Sequence, residues 1–153
     1  MSRAFVKEQD GREIEEHVRP ISPHPNFVTP EGLALIEAAH DRAHAEHAAA
    51  VASDDRPSLA RAARDLRYWA ARRASAQVLP PPPDTVQVHF GSTVTIARDD
   101  GRGQTYRIVG EDEADPAHGT LSYVAPLARA VMGKEVGDTV AVGGAEAEIV
   151  AIK

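Results

Sequence analysis

The chain has no cysteine among its 153 residues. Disulfides and thiolate metal sites are therefore excluded, and nothing points to an oxidising compartment. The start, Met1-Ser2-Arg3-Ala4-Phe5-Val6-Lys7-Glu8, lacks the apolar core of a signal peptide. No apolar run approaches the length of a membrane span, so no membrane partner is expected and a soluble cytoplasmic protein is the default. Large apolar residues are also scarce in the first half, where alanine takes their place.

Proline, by contrast, is concentrated. Pro80 to Pro83 stand four in a row, a composition that favours extended polyproline II and a semi-rigid spacer. A domain boundary is expected there. The net charge of −6 hides an asymmetry. Arg56, Arg61, Arg64, Arg67, Arg72 and Arg73 face the single Asp65, whereas the stretch from Asp84 onward is acidic. Two different contact surfaces follow from this better than one uniform solubility charge.

The segment before Asn26 mixes charges with Pro20, Pro23 and Pro25 and shows no apolar period, the pattern of a flexible tail. Thr29-Pro30-Glu31 is a helix start: a capping hydroxyl, a residue with no N–H to lose, and an acid at the positive helix end. The helix is predicted to run to about Ala52, with Leu33, Ile36, Ala39 or His40, Ala43, His47 and Ala50 on one face. Ser53-Asp54-Asp55-Arg56-Pro57 interrupts it, with Ser53 or an aspartate placed to cap a second helix. That helix is expected from about Pro57 to Gln77. Leu59, Ala62, Leu66, Trp69, Arg73 and Ala76 give it the steps of a paired coil. Two helices joined by so short a turn are antiparallel neighbours. At ~25 cal/mol per Å² of apolar burial an alanine seam stabilises weakly, so Leu33, Ile36, Leu66 and Trp69 are the expected anchors.

Beyond the prolines the period becomes two. Strands are predicted near Gln87–Phe90, Thr93–Arg98, Thr105–Val109, Leu121–Val124, Thr139–Val142 and Glu146–Ile152. Hairpin turns fall at Asp99 to Gly103 and at Gly143-Gly144. Pro126–Met132 reads as one short helix closed by Gly133 as a left-handed cap. The fold class is α+β: an antiparallel helical hairpin followed by a small antiparallel sheet with one helix. The expected division is a tail over 1–28, a hairpin over 29–78, a proline linker over 79–84 and a second domain over 85–153.

Several stretches of this second domain occur together in a fixed order. They are Phe90-Gly91-Ser92-Thr93-Val94, the run from Tyr106 to Pro116, the run from Ser122 to Gly133, and Lys134-Glu135-Val136-Gly137-Asp138. The set resembles the C-terminal domain of the Gre-family transcript cleavage factors. The Ser2-Arg3-Ala4-Phe5 start and the stretch from Pro25 to Gly32 are also GreB-like. The resemblance implies an FKBP-like C-terminal domain and a partner, bacterial RNA polymerase, on whose secondary channel the family acts. It also implies that the chain is not itself an enzyme, has no catalytic residue of its own and carries no intrinsic cofactor.

In the family, acids at the hairpin tip help hold a second Mg²⁺ beside the polymerase's own, where it activates water for hydrolysis of backtracked RNA. Hard carboxylate oxygens suit that ion. What carries over here is Asp54 or Asp55. The family's Asp, followed three residues later by Glu, is not intact, because Pro57 and Ser58 occupy those positions. The competing reading of the same residues is that they cap the second helix. A first helix of about 23 residues spans roughly 34 Å, several turns less than the family's usual arm.

Arg61, Arg64 and Arg72 resemble the family's basic patch and are candidates for contact with polymerase or the nascent RNA 3′ end. The alternative is a solvated face paired with Glu37, Asp41 or Glu46. Asp112, Glu113 and Asp115 in the acidic loop, with Pro126, resemble the surface that grips the channel rim. His40, His44 and His47 share a helical face and form a weak candidate for a transition metal. Gly91, Gly110, Gly119 and Gly133 lack phosphate-loop order and read as turn geometry.

Three functions remain open: a cleavage stimulator, a channel-binding regulator that competes with cleavage factors, and a stand-alone interaction or prolyl-isomerase-like module. The last has only Phe90, Tyr106 and Tyr123 to build an aromatic pocket, and fold alone does not imply function.

Overall fold

A computed structural model describes residues 18–153. Most of the predicted tail, including the Ser2-Arg3-Ala4-Phe5 start, lies outside the described residues. The chain divides into two compact units. One holds residues 18–23 with Ile36–Ser75; the other holds His24–Leu35 with Ala76–Lys153.

The first unit is the helical pair. Helix α1 (Pro30–Ser53) begins in the second unit and contributes its length from Ile36 onward. Helix α2 (Arg56–Ser75) follows after two residues. The buried positions of α1 in this unit are Ile36, Ala39, Ala43 and Ala50, the seam expected from the spacing. On α2 only Ala62 and Arg72 are buried; Leu59, Leu66 and Trp69 are half-buried. The seam is therefore thin, with one large, fully buried aliphatic side chain, Ile36.

The second unit opens with β1 (Phe27–Val28), which pairs in parallel with β2 (Gln77–Val78). This pairing corrects the tail reading for its last residues: Asn26 and Val28 are 4% and 2% exposed. The following prolines do not stand clear of the unit. The Leu79 amide donates to the Val28 carbonyl at 3.1 Å, and Pro82 packs on Gly91.

The main sheet comprises β3 (Thr93–Arg98), β4 (Gly103–Val109), β5 (Thr120–Ser122), β6 (Thr139–Val142) and β7 (Ala145–Ile152) in the order β5-β4-β3-β7-β6. All neighbours are antiparallel except β4 and β5. Alternation places Val94 and Ile96 inward from β3, and Ala147 and Ile149 inward from β7. The register slips between Thr95 and Ile96, so Ile152 rather than Ala151 joins the core. Helix α3 (Pro126–Val131) covers this face with Ala128 and Val131. Gly133 follows at φ 76°, the left-handed stop its position predicted.

Gln87–Phe90 is not a strand. Only an isolated bridge joins Gln87 to Glu135. The amides of Val86 and Gln87 donate instead to Asp84 Oδ1, at 3.0 and 3.1 Å, and the His89 amide donates to Ser92 Oγ at 2.9 Å. Local side chains thus take several of the donors that a ladder would need, while the Val88 amide donates to the Lys134 carbonyl and the Val88 carbonyl accepts the Gly133 amide, each at 2.9 Å.

Candidate functional site

The hairpin tip consists of Asp54 and Asp55. Asp54 stands at φ 56°, the one non-glycine residue with positive φ among those described. Aspartate tolerates that region better than most residues. Asp55 caps α2. Its Oδ2 accepts the Ser58 hydroxyl at 2.6 Å, its Oδ1 faces the Ser58 amide at 3.4 Å, and its carbonyl accepts the Leu59 amide at 2.9 Å. Ser53, the other capping candidate, turns back to the Ala50 carbonyl at 3.1 Å. The Ser58 hydroxyl, and then its amide, hold the Asp55 carboxyl below its ordinary range.

A hard divalent cation takes about six oxygen ligands. The tip offers an exposed Asp54 and an Asp55 already engaged as a cap. No group of three His, Asp or Glu side chains suited to a metal occurs among the described residues. The donor set does not by itself fit a metal site.

The capping role has a pH signature. Because the folded carboxyl is depressed, its stabilising effect is complete above the ordinary aspartate value of about 3.9. The effect fades as pH falls through the lower folded value. The gap in thermal midpoint between wild type and Asp55→Ala, followed by helical circular dichroism, should be widest near neutrality and should close on acidification. A gap that stays constant with pH would rule out the ionised cap.

The three candidate arginines do not form one exposed face. Arg61 is exposed. Arg64 is half-buried, its Nε 3.4 Å from the neighbouring Asp65. Arg72 is 1% exposed, so it offers no surface to an external partner; this corrects its assignment to the contact patch. Among the histidines, His40 and His44 have ring centroids 6.4 Å apart. His40 Nδ1 lies 3.4 Å from Asp41 and 3.4 Å from Arg73 Nη1. The row is a polar helix face.

The acidic loop divides. Glu111–Glu113 forms a 3₁₀ turn, and Glu113 points inward. The Thr29 hydroxyl donates to Glu113 Oε1 at 2.6 Å while accepting the Gly32 amide at 3.0 Å. Glu113 Oε2 is buried without a hydrogen-bond partner and lies where a Cβ on residue 32 would sit. The carboxylate thus meets the positive start of α1, and Gly32 gives it room. Glu113 is an internal strap, which corrects its placement on a docking surface. Glu31, in the same helix turn, has its carboxyl lowered by its own backbone amide and by Arg107, whose Nη2 lies 3.5 Å away. Asp112 is half-buried, while Asp115 is exposed and pairs with His118 Nδ1 at 2.6 Å. Pro126 is exposed at the start of α3. Residues 29 and 113 are 84 apart, and no local pattern links them in the sequence.

The unit that carries this loop and α3 corresponds to a known family. The family model described as transcription elongation factor, GreA/GreB, C-term matches residues 83–153. A transcription elongation factor GreA of Desulfovibrio desulfuricans is 36% identical over 132 residues, which cover 84% of this chain and 76% of that protein. The GreA of Pseudomonas putida is 53% identical over 76 residues, 46% of this chain and 48% of the relative. A GreB of Neisseria meningitidis serogroup B is 41% identical over 96 residues, 59% of each chain. Against these last two, the chain spans about half of the relatives' length (48% and 59%). The chain belongs to the GreA/GreB family of transcription elongation factors. No helix among the described residues is long and apolar enough to cross a membrane.

Proposed function

We propose that this protein binds bacterial RNA polymerase at its secondary channel and modulates elongation without supporting RNA cleavage, competing there with cleavage factors. Family membership supports the polymerase as partner. The observation that carries the non-cleaving reading is the capping of α2 by Asp55, which leaves Asp54 as the one uncommitted carboxylate at the tip. Reach argues the same way, since 24 residues of α1 span about 36 Å at 1.5 Å per residue. Docking is assigned to the second unit, through Asp112, Asp115 and Pro126, with Glu113 withdrawn from that set. Arg61 remains as a contact for polymerase or the RNA 3′ end, whereas Arg64, half-buried beside Asp65, is withdrawn from that set.

The exposed Asp54 favours a second reading, in which it helps hold Mg²⁺ jointly with the polymerase and cleavage is stimulated. The two readings separate in one experiment. Purified chain is first tested for capture by core polymerase, then added to backtracked complexes alone and together with a full-length cleavage factor. The expected result is capture, no stimulation at any Mg²⁺ level, and inhibition of the added factor. Asp54→Ala should compete as well as wild type, because Asp54 takes no part in the cap. Stimulation by wild type that disappears in Asp54→Ala would establish the second reading. Failure of capture would remove both and leave a stand-alone module.

A further inference from the structure

Residues 18–21 lie along α2 in the first unit and close a cavity of about 210 Å³ with it, lined by Val18, Arg19, Pro20, Ile21, Arg64, Arg67 and Tyr68. Three guanidinium groups border this space. Arg19 lies over Tyr68, its Cζ 3.8 Å from the ring centroid, and 5.3 Å from the Trp69 ring centroid. Arg19 Nη1 and Arg64 Nε share the same oxygen of Asp65, at 3.6 and 3.4 Å. Arg67 is exposed and has no hydrogen-bond or ion-pair partner among the described residues. Asp65 thus pairs with two of the three arginines, Arg19 and Arg64. Arginines gathered this way repel one another unless an anion joins them, and planar guanidinium forks match phosphate oxygens well. The lining also holds apolar groups: Val18 and Ile21 are 55% and 49% exposed, with Pro20 between them in sequence.

We propose that this cavity binds a phosphate-bearing small molecule, a nucleotide, with its phosphates on Arg19, Arg64 and Arg67 and its base against Val18, Pro20 and Ile21. Arg19 acts twice, as the stacking group that holds residues 18–21 to α2 and as a phosphate ligand. Arg67 acts only toward the ligand, so its removal leaves the hairpin intact.

Trp69 is the sole tryptophan of the chain and packs edge-on against Tyr68 at 5.0 Å, which makes its fluorescence a reporter of the cavity. The full chain is titrated with ATP, inorganic triphosphate, adenosine and sulfate. ATP is expected to give a saturable change with Kd below about 1 mM, weakened at higher salt. Arg67→Ala should raise that Kd about tenfold, the effect of losing one charge-assisted hydrogen bond, with unchanged helical circular dichroism. Arg102→Ala, in the other unit, should not move it. Triphosphate should bind more weakly than ATP, and adenosine and sulfate not at all.

No saturation with ATP overturns the proposal, as does a Kd indifferent to Arg67→Ala. Equal binding of sulfate would mean an adventitious ion only, and equal binding of adenosine would remove the phosphate contact. Binding of single-stranded RNA without ATP would transfer the surface to a polymer and equally overturn the assignment. Because the titration uses the chain alone, its failure leaves the polymerase reading untouched.

Discussion

Alanine at Gly110 is expected to destabilise the second unit by about 1–3 kcal/mol, the usual range for overpacking. The cause is proximity. Gly110 has φ −72° and ψ 166°, a conformation open to any residue, so glycine is not needed for the backbone path. A Cβ there would overlap the Phe27 carbonyl oxygen and lie 3.5 Å from Val28 Cα. Both neighbours are backbone atoms of β1, which is fixed on its other side by pairing with β2, so neither can swing aside as a side chain tip would. Phe27 also packs edge-to-face with Phe90 and obliquely with Tyr123, at centroid distances of 6.4 and 5.5 Å. A displaced β1 would disturb those contacts as well.

A loss of that size corresponds to a fall of roughly 5–20 °C in thermal midpoint for a unit of this length. Gly103→Ala is the control. Its nearest foreign atom lies 4.0 Å from the added Cβ, and a change of no more than about 0.5 kcal/mol is expected, as for other surface substitutions. Calorimetric midpoints that coincide for the two variants would contradict the close approach.

Where the determinants were local, the sequence disclosed them. Thr29 and Pro30 announced the start of α1, and the Thr29 hydroxyl does accept the Gly32 amide. The Asp54-Asp55 interruption placed the tip. Alternation located β3 and β6 to the residue, because inward Val94, Ile96 and Val140 are separated by polar or small outward neighbours. Alternation failed over Gln87–Phe90, since Asp84 and Ser92 bind the Gln87 and His89 amides and leave Val88 alone to bond by backbone to Lys134. A pattern of side chains does not reveal where the backbone donors go.

The long-range features had no local signature at all. β1 and β2 are two residues each, too short to show a period, and the hairpin separates them in sequence. Glu113 is one acid among several in its loop, and nothing local marks it as the one that meets Thr29. Arg72 read as a surface cation from its place among five other arginines, yet is buried. Of the candidate site, the tip was legible as a place, while the use of Asp55 as a cap was one of two readings that only the Ser58 contacts separate.

Ile36→Ala is expected to melt the hairpin while sparing the main sheet. Ile36 is 0% exposed, whereas the other buried seam positions of α1 are the alanines at 39, 43 and 50. Alanines allow close helix approach but bury little area, so the seam has few other apolar groups to compensate for a lost side chain. Truncation of a buried isoleucine costs about 2–5 kcal/mol, a large share of what two helices joined in this way can supply. Leu66→Ala and Trp69→Ala should cost less, because both side chains are half-buried and part of their surface already faces water. The core of the second unit draws on Val94, Ile96, Ile108, Val131 and Ile149 and does not include Ile36. Circular dichroism should therefore show the helical signal of Ile36→Ala declining at a lower temperature than in wild type. The sheet, followed by amide hydrogen exchange in β3 and β7, should keep its protection past that point. Simultaneous loss of helix signal and β3–β7 protection would show instead that the two units unfold as one.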